Sequence, residues 1–105
     1  NEGLIDSVTA ISGSGPAYVF LLLEAMQDAA RELGLSAETS RTLAIQTVIG
    51  SAHLAEQSTD PVSVLRERVT SKGGTTEPAL KKKAELGVKE GLIDGMHAAA
   101  NLASS

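Results

Sequence analysis

An all-α fold, a compact bundle of five or six helices forming an interlocked dimer, is predicted from three features of the sequence. No segment alternates apolar and polar residues with period two over a useful length, so strands are not expected. Apolar residues recur at three and four positions in several stretches, most clearly Val88, Leu92, Met96, Ala99, Ala100 and Ala103. Pro, Gly and Ser fall between those stretches, where helices start and stop.

Asp6 to Ile11 opens an apolar, small-residue segment that Ser12-Gly13-Ser14-Gly15 is expected to interrupt. Pro16 then restarts a helix, because a proline at the first helical position forfeits only an N–H that has no intrahelical partner. From Ala17 to Leu23 every helical face is apolar, the pattern of a segment buried all round. A small domain cannot cover such a segment alone, so this stretch predicts packing against a second chain or domain.

Glu24, Gln27, Asp28, Arg31 and Glu32 supply a polar face in later turns, and Gly34 supplies the stop. Ser36 is the expected N-cap of the next helix, whose stripe is Leu43, Ala44, Val48, Ala52 and Ala55. Gly50, Ser51 and Ala52 offer a small-residue surface for close approach. Asp60-Pro61 starts a short helix through about Arg68, with Val62, Leu65 and Val69 inward. Pro78 to Leu86 forms another, ending near Gly87, and a last helix follows; the terminal Ala-Ser-Ser is expected to fray.

The length corresponds to one domain, residues 1–105, able to bury roughly 65% of its unfolded surface. Tyr18 and Phe20 are the only aromatic residues, so the core falls to Leu, Ile, Val and Ala, which favours close helix–helix approach. A net charge of −4 argues against nucleic acid and anionic membranes as partners, and Lys81-Lys82-Lys83 is most simply a solvated helix surface. Cysteine is absent, which excludes disulfides and thiolate chemistry. His53 and His97 lie far apart with no carboxylates at ligand spacing, so no metal site is expected. No apolar stretch reads as long enough to span a bilayer, and no signal segment opens the chain, so the default is a soluble, cytoplasmic protein. Asn1 in place of an initiator Met suggests a processed or excised piece.

The segment Val69-Thr70-Ser71-Lys72-Gly73-Gly74-Thr75-Thr76, directly before the helix at Pro78, has the make-up of an anion-binding loop. Paired glycines let backbone N–H groups converge, and the following helix adds its unpaired first-turn N–H groups and dipole. The plainer alternative is a loop that caps a helix, with Thr76 near its start. It is not a Walker loop, since the G-x-x-x-x-G-K-[ST] spacing is missing. No paired carboxylates or Ser/His/Asp set marks a separate catalytic base. Glu56, just before the Ser58–Pro61 turn, could face the site, but on the simpler reading it is an exposed helix-end carboxylate.

That loop, together with Val8-Thr9-Ala10-Ile11-Ser12-Gly13-Ser14-Gly15-Pro16-Ala17-Tyr18 about 50 residues earlier, resembles the C-terminal domain of pyrroline-5-carboxylate reductase over essentially the whole chain. Lys72 stands where that family often has Pro. The resemblance implies hydride transfer from NADPH or NADH to 1-pyrroline-5-carboxylate, forming L-proline, with the nucleotide held mainly by an N-terminal Rossmann domain that has no counterpart here. It implies a homodimer or higher oligomer whose site lies by the interface. Substrate contacts carry over to Ser71, Gly73, Gly74, Thr75 and Thr76, with Thr76 orienting the ring nitrogen. Ser12, Gly13, Ser14, Gly15 and Pro16 carry over as a turn near the nicotinamide, a reading that stands beside a mere helix break. Two rivals remain: a noncatalytic helical dimerisation module, and a reductase for another small imino or oxo acid.

Overall fold

The computed structural model describes residues 2–71 and 78–104, with side chains placed for 3–70 and 87–102. Among these residues all regular structure is helical: α1 (Glu2–Glu32), α2 (Ala37–Gln57), α3 (Val62–Ser71) and α4 (Pro78–Ser104). The all-α expectation holds, but the described helices number four, because two expected breaks do not occur.

The first is at Ser12–Pro16, which lies inside the 31-residue α1. An interior proline removes one backbone hydrogen bond and crowds the carbonyl four residues before it. The residue before a proline is normally pushed out of helical geometry, partly by its own Cβ. Gly15 has no Cβ, so that part of the clash vanishes. Hydroxyl groups around the site also bond within the helix: Ser7 Oγ donates to the Gly3 carbonyl at 2.9 Å, and Ser12 Oγ to that of Val8 at 2.9 Å.

The second is at Gly87, which α4 passes through. A glycine ends a helix by adopting positive φ, and among the described residues only Gly34 does so, at φ 104°. Gly34 closes α1 as expected. Its N–H donates to the Arg31 carbonyl at 3.0 Å and that of Leu35 to the Ala30 carbonyl at 3.1 Å, the paired bonds of a Schellman motif.

The other junctions follow the sequence closely. Ser36 is extended (φ −67°, ψ 160°) and its hydroxyl accepts from the Thr39 N–H at 3.1 Å, capping α2. Ser58 closes α2 by donating its N–H to the Leu54 carbonyl at 3.0 Å, and its hydroxyl accepts from the Asp60 N–H at 3.0 Å. The Pro61 carbonyl takes the N–H groups of Val64 and Leu65 and so opens α3. Arg68 reaches back to Asp60 at 2.7 Å, and α3 runs to Ser71, a turn beyond its expected end.

The chain forms two compact units. One comprises Asn1–Leu22 with Glu77–Ser105, the other Leu23–Thr76. In the first, Ala10 of α1 is buried; in the second, Ala44 and Ser40 are buried, and the Ser40 hydroxyl has no hydrogen-bond partner. Ala44, Val48 and Ala55 of the expected α2 stripe are shielded, whereas Leu43 and Ala52 are exposed. On α3 the phase shifts by a residue: Val64 and Leu65 are shielded, Val62 and Val69 exposed. Small buried side chains therefore make the closest contacts, while large apolar ones stay open: Val19, Phe20, Leu21 and Leu22 are 41–63% exposed. One chain leaves uncovered the segment whose composition called for burial on all sides.

Fusing the two predicted helices across Pro16 also changes the membrane reading. Gly3–Glu32 is long and apolar enough to cross a bilayer by length and composition, with a mean hydropathy of 1.3 in its most apolar stretch. In the sequence the Ser12–Gly15 cluster hides this length, because it has the make-up of a break. A core helix of a protein that buries it against a partner has the same composition, so this property alone assigns no membrane.

Candidate functional site

The Ser12–Pro16 segment lies on a helix, which corrects its expected form as a turn at the mouth of a site. At 100° per residue, Gly15 and Tyr18 share one face of α1, Gly13 and Pro16 are turned away from it, and Ser12 lies on its flank. Gly15 and Tyr18 meet α4: a Cβ on Gly15 would lie 3.9 Å from Met96 Cε, and the Tyr18 hydroxyl presses directly on Gly95. Ser12, Gly13 and Pro16 are exposed, and Ser14 and Gly15 half-buried.

The outward face is chemically unusual for a helix. Gly13 presents bare backbone, and Pro16 has no N–H to give the Ser12 carbonyl, which therefore lacks its usual helical partner. The Ser12 hydroxyl already donates to Val8. Such a surface lets a flat group approach closely, with no titratable side chain among the five residues.

The proposed substrate loop is flanked by described structure. Residues 72–77 lie outside the described residues, as do the side chains of Ser71 and Lys81-Lys82-Lys83, so Gly73, Gly74, Thr75 and Thr76 have no placement. Before the loop, Thr70 Oγ1 donates to the carbonyls of Arg66 and Glu67 at 3.0 and 3.2 Å, and the Arg68–Asp60 ion pair ties the end of α3 to its start. After it, α4 begins at Pro78, where the sequence puts a helix start. The loop and the Ser12–Pro16 face belong to different compact units, and each stands by itself.

Tyr18 and Gly95 are the residues the sequence reading did not pair. Gly91 and Gly95 sit four apart in a helical pattern, and an isolated helical glycine commonly marks close packing. That signal was present, but its partner lies at the far end of the chain. His53, His97 and Glu56 are exposed. Among the described residues no group of three or more His, Asp or Glu is arranged to hold a metal. A shallow hollow lined by Asp28, Arg31 and Glu32 is open surface of mixed charge.

Residues 2–105 match the family described as pyrroline-5-carboxylate reductase dimerisation. The chain is 56% identical over 81 residues to the pyrroline-5-carboxylate reductase of Pseudomonas aeruginosa, covering 77% of this chain and 30% of that protein. It is 44% identical over 92 residues to pyrroline-5-carboxylate reductase 2 of Bacillus subtilis, covering 88% and 33%. Among solved structures, the Coxiella burnetii pyrroline-5-carboxylate reductase superposes with a TM-score of 0.85 at 46% identity, covering 99% of this chain and 38% of that one. The Plasmodium falciparum pyrroline carboxylate reductase with NADP bound gives 0.84 at 37% identity, covering 98% and 41%. The chain thus spans about a third of the length of the curated relatives it matches. With two motif blocks, an all-α architecture and a match from residue 2 to residue 105, the chain belongs to the pyrroline-5-carboxylate reductase dimerisation family.

Proposed function

We propose that this chain is the dimerising and substrate-binding part of a reductase that transfers hydride from NADPH or NADH to 1-pyrroline-5-carboxylate, forming L-proline. The family match over nearly the whole chain carries this reading, and the Gly73-Gly74-Thr75-Thr76 string gives it a place for substrate. A plain scaffold has no need of that loop in addition to its helix caps.

The described residues include no strand, and so no βαβ unit to hold a dinucleotide. The cofactor is therefore held mainly by an N-terminal domain, and this chain meets only its reactive end. The exposed face at Ser12, Gly13 and Pro16 fits that task, because bare backbone without bulky side chains admits a planar, carboxamide-bearing ring. The cofactor supplies the hydride, which adds to the imine carbon while the ring nitrogen takes up a proton. Backbone N–H groups at Gly73 and Gly74, with the hydroxyls of Ser71 and Thr75, hold the substrate carboxylate. Thr76 orients the ring nitrogen and so keeps the imine carbon at near-attack distance. The second copy covers Val19–Leu22 and closes the site from water, in an interlocked homodimer that also permits higher assembly.

The test is Thr76→Ala in the full-length enzyme. Loss of a buried hydrogen bond strengthened in the transition state is expected to lower kcat/KM by about 1–3 kcal/mol, with little change in the thermal melt. If Thr76 only caps α4, the melt falls by about 1 kcal/mol of stability and the kinetic constants hold. The isolated chain is expected to be inactive. Turnover by it, or a full-length protein that ignores pyrroline-5-carboxylate but reduces another small imino or oxo acid, would overturn the assignment.

A further inference from the structure

We infer that Gly95 and Tyr18 are positioning residues for the cofactor: together they form a clasp between α4 and α1 that fixes where the outward face at Ser12, Gly13 and Pro16 is presented. The inference rests on the reading that this face lies beside the nicotinamide.

The contact is specific in a way that ordinary helix packing is not. The Tyr18 hydroxyl lies where a side chain at position 95 would begin, and a Cβ there would also stand 3.0 Å from Cζ and 3.4 Å from Cε1. No other residue type fits at 95 unless Tyr18 moves. The other described glycines of α4, Gly87 and Gly91, have nothing within 4 Å of such a Cβ, so the tight fit belongs to Gly95 alone among them. One turn earlier on the same face of α1, a Cβ built on Gly15 would lie 3.9 Å from the Met96 methyl. Both contacts fall on the side of α1 facing away from Gly13, and they bracket the interior proline, where the helix lacks a backbone bond.

An α-helix missing that bond has less of its own stiffness at Pro16 to hold the face in place. The clasp supplies the missing constraint from α4. Disturbing it shifts the presented face without touching cofactor or substrate, and near-attack geometry is sensitive to shifts of that size.

The experiment uses the full-length enzyme with Gly95→Ala, Tyr18→Phe and the double variant, reading KM for NADPH, KM for pyrroline-5-carboxylate, kcat and the thermal melt. Gly95→Ala is expected to raise the NADPH KM about tenfold while the pyrroline-5-carboxylate KM changes less than about twofold. Tyr18→Phe removes the atom that overlaps most, so the double variant should recover most of the loss. Unaltered NADPH KM in Gly95→Ala, or a defect that Tyr18→Phe does not relieve, overturns the clasp. Should Gly95→Ala not fold, Tyr18→Ala opens the same clasp with no overlap: a raised NADPH KM in folded protein supports it, and an unchanged one overturns it. Gly13→Ala tests the reading beneath, since its new methyl meets only Thr9 Cγ2 at an ordinary 3.6 Å. If Gly13→Ala leaves the NADPH KM unchanged, the face is not at the cofactor and the inference falls with that reading; if it raises KM while Gly95→Ala does not, the clasp alone fails.

Discussion

Two stretches of α1 and its surroundings both combine glycine with turn-forming residues, and they behave in opposite ways. At Leu33–Ser36 the chain stops: Gly34 takes φ 104°, two backbone bonds close the helix, and the Ser36 hydroxyl caps the next. At Ser12–Pro16 the helix continues. Every bond that ends α1 is supplied within a few residues of Gly34. The continuity at Pro16 goes with contacts to Gly95 and Met96, residues from the opposite end of the sequence. Local chemistry thus settles the first region. In the second, the missing Cβ of Gly15 and the contacts to α4 accompany an unbroken helix, and just after it Val19–Leu22 is exposed in the single chain.

The largest expected effect lies in that uncovered stretch. Phe20 is 63% exposed in the single chain, and a second copy is the proposed cover. Phe20→Asp would carry a charge into the interface, weakening association by on the order of 4 kcal/mol, roughly a thousandfold in dissociation constant. Sedimentation of the full-length protein at micromolar concentration should then show monomer where the parent is dimeric. A variant that still sediments as a dimer places Phe20 outside the interface.

Next comes Pro16→Ala. In an unbroken helix this restores a backbone N–H for the Ser12 carbonyl and removes the ring clash, with a gain of up to about 3 kcal/mol in chemical denaturation. If Pro16 instead begins a helix, the same change is neutral or mildly destabilising, because a proline there is preorganised. The two helical descriptions therefore predict opposite signs.

Gly34→Ala is expected to lose about 1–3 kcal/mol, since the φ of 104° is strained for any residue with a Cβ although nothing crowds the position in space. A melt unchanged by this substitution would mean that the α1 terminus relaxes without the Schellman bonds.

What was legible in the sequence divides along the same line. Gly34, Ser36, Asp60-Pro61 and Pro78 announce helix ends because each acts on neighbours within a turn. Ser12–Pro16 and Gly87 also carry helix-ending residue types, but no cap follows either of them and the helix continues. Val62 and Val64 show a subtler limit: α3 has 10 residues, under three turns, and too few apolar positions to fix its phase. The candidate site is legible as motif alone. Its glycine and threonine string names a chemistry, whereas the face at Ser12, Gly13 and Pro16 becomes a helical surface only once α1 is seen to be continuous. The Tyr18–Gly95 fit is invisible in a sequence because it depends on which faces of two distant helices meet.

The smallest effect gives the cleanest comparison with Gly34. Gly87 is exposed, lies within α4, has no positive φ and nothing within 4 Å of a built Cβ. Gly87→Ala should therefore stabilise the protein by about 0.5–1 kcal/mol, because alanine loses less backbone entropy in a helix and meets no obstruction. After Gly34 the chain supplies a serine cap within two residues; after Gly87 it supplies Val88-Lys89-Glu90, which continue a helix and cap nothing. Glycine permits a stop in both places, but only where the next residues can take up the freed backbone groups does the helix use it. Paired melts of Gly34→Ala and Gly87→Ala should move in opposite directions, and a loss of stability in the second would return Gly87 to the role of a helix terminus.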